Sequence, residues 1–179
     1  MNQHHRWTLV GLHWLTLLLI VAAYVIGSLL EDMTLSPLKL KLYAWHKWAG
    51  MTVLMLLPLR LLLRLSDRFD HATGLLPWEA RASAAVHGAL YLLMLVVPLL
   101  GWLQSSAAGF SVVWFGVLPL PDLVGKDKAL ADVFKELHEG SVNLLLTLVV
   151  LHAVAALYHQ YVRHDGVLAR MIPWLRSKS

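Results

Sequence analysis

The 179-residue sequence contains no cysteine. That excludes disulfides, iron–sulfur clusters, thiolate zinc sites and haem attached through a C-x-x-C-H run. Charge is scarce too: Asp, Glu, Lys and Arg make up 15% of the chain, against about 25% in an average soluble domain. No repeat or low-complexity segment is evident. What abounds is apolar surface, with 58% hydrophobic residues and a mean hydropathy of +0.62. A soluble globule of this size cannot hide that much, so the expectation is a single membrane domain covering 1–179. Ten histidines stand out against this background. Histidine is costly inside a bilayer, so their positions carry most of the information.

A helix needs about 20 apolar residues to cross the hydrocarbon core. Residues 9–30 and 140–162 are free of Asp, Glu, Lys and Arg. Together with 42–63 and 83–104 they predict four spans. The second carries Lys47 and Arg60 near its ends, where both can snorkel to the headgroups. Pro58 and Pro98 fall inside spans, where packed membrane helices tolerate kinks. The first span is longer than the 7–15-residue core of a signal peptide and carries His13, so it reads as retained. Residues 107–121 are too short and too broken by Gly and Pro to cross. They predict an interfacial loop anchored by Phe110, Trp114 and Phe115. Leu130, Val133, Phe134 and Leu137 recur at helical spacing and predict a short amphipathic helix leading into the fourth span.

Four spans put both termini on one side. With the termini inside, the inner segments hold Arg6, Arg60, Arg64, Arg68, Arg81, Arg163, Arg170, Arg176 and Lys178. The outer segments hold Lys39, Lys41, Lys47, Lys126, Lys128 and Lys135. The excess of basic residues predicts cytoplasmic termini. The outer side also carries seven carboxylates, so its net charge is near −1 and steering of an anion would need a local lysine cluster.

The histidines sort by depth. His46 and His138 lie near the outer surface, and His13, His87, His152 and His159 in the inner half. His4, His5, His71 and His164 fall in tails or loops and read as solvated. His138 and His152 are 14 residues apart, about 21 Å of helical rise and about 40° short of four turns. Both therefore face the same way, one near each membrane surface. Two stacked metal centres in one bundle need this arrangement, and paired imidazoles are how membrane bundles hold haem b without covalent attachment. Outside, the only available partner is His46. Inside, His13 and His87 both remain open. A zinc or copper site would instead gather its ligands in one cluster with carboxylates, which the apolar segments do not offer. Buried histidines bonded to their neighbours, or relaying protons in a non-redox transporter, are the competing readings.

Gly11, Ala49, Gly50, Gly88 and Gly140 flank these histidines. Small residues there make room for a flat macrocycle or serve ordinary helix packing. Arg60 and Arg64 follow His46 by 14 and 18 residues, so all three share a face. Their guanidiniums lie at the level of the inner histidines, placed for haem propionates or as membrane anchors.

Several stretches together resemble the bacterial cytochrome b561 family. They are His13-Trp14-Leu15 with Ala22-Ala23-Tyr24, Arg60-Leu61-Leu62-Leu63-Arg64-Leu65, and His87 with Tyr91-Leu92-Leu93 and Pro98. His138-Glu139 and Leu151-His152-Ala153 through Ala155-Ala156-Leu157, His159, Asp165 and Arg170-Met171 complete the set. The resemblance implies a four-helix bundle in the bacterial inner membrane, holding two haems b. It implies His46 and His138 as ligands of the outer haem, and His13 and His152 as ligands of the inner one. It is strongest toward members that oxidise superoxide outside and reduce ubiquinone near the cytoplasmic side. His159, seven residues past His152 on the same face, would then serve quinone, with His87, Arg60 and Arg64 as further contacts to quinone or propionates. Similar sequences have two adjacent histidines late in the fourth span; here His159 is followed by Gln160. The alternative is the cytochrome subunit of a membrane dehydrogenase or hydrogenase, with a protein electron donor. No nucleic-acid partner is expected.

Overall fold

The structure is a computed structural model and describes residues 3–66, 76–166 and 168–172, with the side chains of 3–6, 66 and 170 undescribed. His4, His5, Arg6, His71, Arg68, Arg170, Arg176 and Lys178, assigned above to tails and loops, have side chains outside the described residues.

Four long helices make up the molecule: α1 (Gln3–Asp32), α2 (Pro37–Ser66), α3 (Pro77–Ala107) and α4 (Lys128–Tyr158). All four are long and apolar enough to cross a membrane. Each exceeds its expected span by two turns or so. At 1.5 Å per residue, 30 residues reach about 45 Å, beyond a hydrocarbon core of about 30 Å, so the ends extend into the headgroups. Charged and polar residues stop an apolar run without stopping the helical hydrogen bonds. α2 and α3 continue unbroken through Pro58 and Pro98.

The starts are capped by polar side chains. Ser36 Oγ accepts from the Lys39 amide, and Asp127 Oδ1 from the Leu130 amide. In α3, Pro77 opens the helix and the Glu79 carboxylate reaches back to the Leu76 amide at 2.8 Å.

α1 packs with α2 and α3 with α4, and the two pairs join through α2 and α3. A small buried core of Val53, Leu57 and Met94, with Leu19, Ile20 and Tyr91 against it, ties α1, α2 and α3 at mid-depth. Most other apolar side chains of the helices face outward.

Between α3 and α4 the expected irregular loop is instead a small antiparallel hairpin, β1 (Val113–Trp114) with β2 (Leu118–Pro119). Phe115 and Gly116 turn the chain with φ of 50° and 71°. Trp48 Nε1 donates to the Val113 carbonyl at 2.7 Å and Trp114 Nε1 to Thr52 Oγ1 at 3.3 Å. These bonds lay the hairpin on the N-terminal end of α2, at the face away from the N-terminus of α1, termed outer after the orientation expected from the sequence. Trp114 is thus an inward tether, whereas Phe110 and Phe115 stay exposed as anchors. The expected amphipathic helix is no separate element: it forms the first turns of α4, because nothing breaks helicity between Lys128 and Tyr158.

Candidate functional site

At the outer level His46 of α2 and His138 of α4 face one another, ring centres 6.1 Å apart and planes at 78°. Their helices scarcely touch, so the rings meet across a gap. Each ring is held by the same device on its neighbouring helix. His46 Nδ1 donates to the Ala23 carbonyl at 2.8 Å, and one turn along α1 a Cβ on Gly27 would stand 3.2 Å from His46 Cε1. His138 Nδ1 donates to the Val97 carbonyl at 2.9 Å, and one turn along α3 a Cβ on Gly101 would stand 3.1 Å from His138 Cε1. A proton on Nδ1 leaves the lone pair on Nε2, the tautomer a metal needs.

At the inner level His13 of α1 faces His152 of α4, ring centres 6.2 Å apart, again between helices that scarcely touch. His87 of α3 packs edge-on against His152 at 5.0 Å and donates from Nδ1 to its own helix at the Ser83 carbonyl, 2.7 Å away. An imidazole nitrogen binds a first-row metal at about 2 Å, and the ring centre lies about 1.2 Å behind it. Two opposed imidazoles on one iron therefore put ring centres roughly 6.4 Å apart. The 6.1 and 6.2 Å pairs fit that span, while 5.0 Å between His87 and His152 is ring-on-ring contact. Among the described residues no three or more His, Cys, Asp or Glu side chains gather to hold an ion. Paired imidazoles across open gaps suit a ligand that fills its other coordination positions itself, as haem does.

The inner level also carries uncompensated positive charge. Arg60 and Arg64 of α2 lie over the ring of Tyr91, 5.7 and 5.3 Å from its centre. Their charges reach His87, and that of Arg60 reaches His13. Among the described residues neither has a carboxylate partner. A pair of carboxylates brought by a ligand would match them. Trp14 packs edge-on against His13 and donates from Nε1 to the Met171 carbonyl, which folds the turn Leu168–Arg170 and the residues after it onto the inner end of α1.

His159 sits apart from both pairs. α4 gives way there to a π-helical turn, His159–Arg163, closed by His164 at φ 54°. The turn brings Asp165 back to His159, Nδ1 to Oδ2 at 2.5 Å, with both side chains mostly buried. The Tyr158 ring lies edge-on at 5.9 Å. Gln160, the departure noted from similar sequences, has a buried side-chain oxygen with no hydrogen-bond partner among the described residues. Arg163 reaches buried Glu79 of α3 at 3.3 Å, closing the inner seam between α3 and α4.

Sequence reasoning gave no role to the Ala23 and Val97 carbonyls, Gly27, Gly101 or Asp165, although Ala23 and Asp165 stand among the stretches that carry the resemblance. The signal lay in two small motifs, Ala23-x-x-x-Gly27 and Val97-x-x-x-Gly101, each one turn long and at the outer level. Of the glycines it did single out, a Cβ on Gly11, Gly88 or Gly140 would meet nothing within 4 Å, and one on Gly50 would only touch Pro98 at 3.9 Å.

Four membrane-spanning helices with histidines opposed at two depths define the class of the membrane b-type cytochromes. The comparisons with known proteins name the group within it. A family model for prokaryotic cytochrome b561 matches residues 4–174, and the chain belongs to that family. The family binds haem b and its chemistry is electron transfer across a membrane. Cytochrome b561 homolog 1 of Escherichia coli (strain K12) is 32% identical over 97% of this chain and 98% of its own length. A Yersinia pestis protein described as probable superoxide oxidase CybB is 29% identical over 99% of this chain and 100% of its own. Cytochrome b561 homolog 2 of the same E. coli strain is 30% identical over 89% of this chain and 86% of its own. The protein is therefore a multi-pass bacterial membrane protein of redox function.

Proposed function

We propose that this single-domain protein oxidises superoxide at the outer side of the bacterial inner membrane and reduces ubiquinone near the cytoplasmic side, where both termini lie. Two superoxide anions, one quinone and two protons give two dioxygen molecules and one quinol. Two haems b, one at each level, would supply the one-electron chemistry that no side chain here possesses. The observation that carries the reading is the pair of opposed imidazoles at each depth, 6.1 and 6.2 Å apart.

In this reading His46 and His138 would hold the outer haem and His13 and His152 the inner one. His87 supports the His152 ring, and the spacing of the three rings favours His13 over His87 as ligand. Arg60 and Arg64 would pair with the propionates of the inner haem. His159 binds a quinone carbonyl. Exposed Val154, Leu157, Tyr158, Tyr161 and Val162 form an apolar approach for quinone from the lipid. The Val53, Leu57 and Met94 core keeps water out of the middle of the bundle. The likeness to the Yersinia relative supports superoxide as donor.

A pyridine haemochrome assay of purified variants tests the ligand set. Wild type should hold two haems. His46→Ala or His138→Ala should lose the outer one, His13→Ala or His152→Ala the inner one, and His87→Ala should keep both. A wild-type count of one, or loss of the inner haem in His87→Ala, overturns the assignment.

A further inference from the structure

We infer that Asp165 is a positioning residue for proton delivery to quinone, acting through His159. The inference rests on the proposal that His159 binds quinone, and adds what the ring does there. Quinone that takes two electrons must also take two protons. A histidine that only donated a hydrogen bond would need no carboxylate behind it.

The fold is bent to provide one. A straight α-helix would carry residue 165 about 9 Å along the axis from residue 159. Instead the chain widens into the π turn, His164 takes a left-handed conformation at φ 54°, and Gly166 follows at φ 68°. The Asp165 amide then donates to the His159 carbonyl at 3.3 Å, and its carboxylate accepts from His159 Nδ1. π turns and non-glycine residues in the left-handed region cluster at functional sites, since their strain must be held by the surroundings. The nearby cation Arg163 is engaged elsewhere, with Glu79.

The geometry does two things. It fixes the ring by its Nδ1–H, so Nε2 points away from Asp165 and is the ring atom left to meet quinone. It also places a negative charge where an imidazolium would form. The step is balanced: the His159 imidazolium gives its Nε2 proton to the quinone oxygen carrying the added electrons, and the N–H bond breaks as the O–H bond forms. The ring is left neutral with Nδ1–H still bonded to Asp165. Water at the inner surface reprotonates Nε2 and supplies the proton for the second oxygen. A positioned acid of this kind contributes about 100-fold or more to such a transfer, and a misoriented one loses much of that.

The test uses purified protein with both haems, superoxide as donor and a soluble ubiquinone analogue. Asp165→Asn keeps the shape and removes the charge. It should retain both haem bands and an unchanged KM for quinone, with kcat lowered about tenfold or more and a larger solvent deuterium isotope effect. Asp165→Glu should restore most of the rate. The double variant His159→Gln with Asp165→Asn should be no slower than His159→Gln alone, because the carboxylate acts only through the ring. If His159→Gln is impaired while Asp165→Asn matches wild type in kcat and isotope effect, this inference fails and the quinone reading stands. If His159→Gln itself reduces quinone normally, the quinone reading fails with it. Should Asp165→Asn not fold, Asp165→Ser decides: the inference has kcat per folded, haem-loaded molecule lowered about tenfold or more with the larger isotope effect, and an unchanged kcat overturns it.

Discussion

Gly101 offers a sharp test of the outer centre, because a single methyl group there meets the His138 ring and little else. A Cβ on residue 101 would stand 3.1 Å from His138 Cε1, where ordinary contact begins at 3.4 Å, so the ring must retreat by a few tenths of an ångström. It has nowhere easy to go. Nδ1 is held by the Val97 carbonyl at 2.9 Å, and in the proposed state Nε2 is held by iron. Without haem only the Val97 hydrogen bond resists the movement, so the clash weighs more heavily on the loaded state. Crowding of this kind costs roughly 1 to 2 kcal/mol, which corresponds to about 5- to 30-fold in outer-haem affinity. Gly101→Ala should therefore lose outer haem on dilution or mild detergent stress while keeping the inner one, read by the visible spectrum and haemochrome. The control is Gly140→Ala. It too replaces a helical glycine, and gains up to about 1 kcal/mol of helix propensity, but its Cβ meets nothing within 4 Å. If both variants hold haem equally well, or lose it equally, the Gly101 cradle is not what positions His138.

Gly27→Ala should act in the same direction on His46, more weakly, because its Cβ would stand 3.2 Å away; binding titrations of the two variants give the order, and a reversed order contradicts the account. The outer lysines should differ in steering superoxide. Lys128 and Lys135 are paired with Asp132 and Glu139 one turn on, whereas Lys39 and Lys41 lie against Tyr43 and Trp45 with no carboxylate partner among the described residues. Stopped-flow haem reduction by superoxide should slow, and lose part of its salt dependence, in Lys39→Gln and Lys41→Gln and change little in Lys128→Gln and Lys135→Gln. Glu79→Ala removes a helix cap and leaves Arg163 unpaired at once, so thermal unfolding should show a loss of about 1 to 3 kcal/mol; an unchanged midpoint would show the seam to be dispensable.

The histidine layers were legible because a polar ring inside an apolar run is conspicuous, and helical rise alone sets His138 and His152 at opposite depths. His46 followed by elimination. Spacing did not choose between His13 and His87, because both occupy the inner level; the resemblance pointed to His13, and the packing of α1 and α3 against α4 is what separates 6.2 Å from 5.0 Å. The glycines named from sequence sit beside histidines in the chain, yet the two that touch rings, Gly27 and Gly101, lie on neighbouring helices. Sequence distance says nothing of that, since it depends on which helices pair. The hairpin was hidden for another reason: its apolar residues look alike whether they dip into lipid or pair as strands. The return of Asp165 to His159 depends on one left-handed residue, His164, which nothing in its neighbours announces.

The central claim is that electrons enter at the His46/His138 level and leave as quinol at the His159 level. Proteoliposomes with the protein in one orientation, ubiquinone in the membrane and superoxide generated only at the outer face test it most directly. The account predicts reduction of both haems followed by quinol formation, one quinol per two superoxide anions consumed. Haems that stay oxidised under superoxide, yet are reduced readily by a protein electron donor, would contradict it and favour the cytochrome subunit of a larger dehydrogenase or hydrogenase.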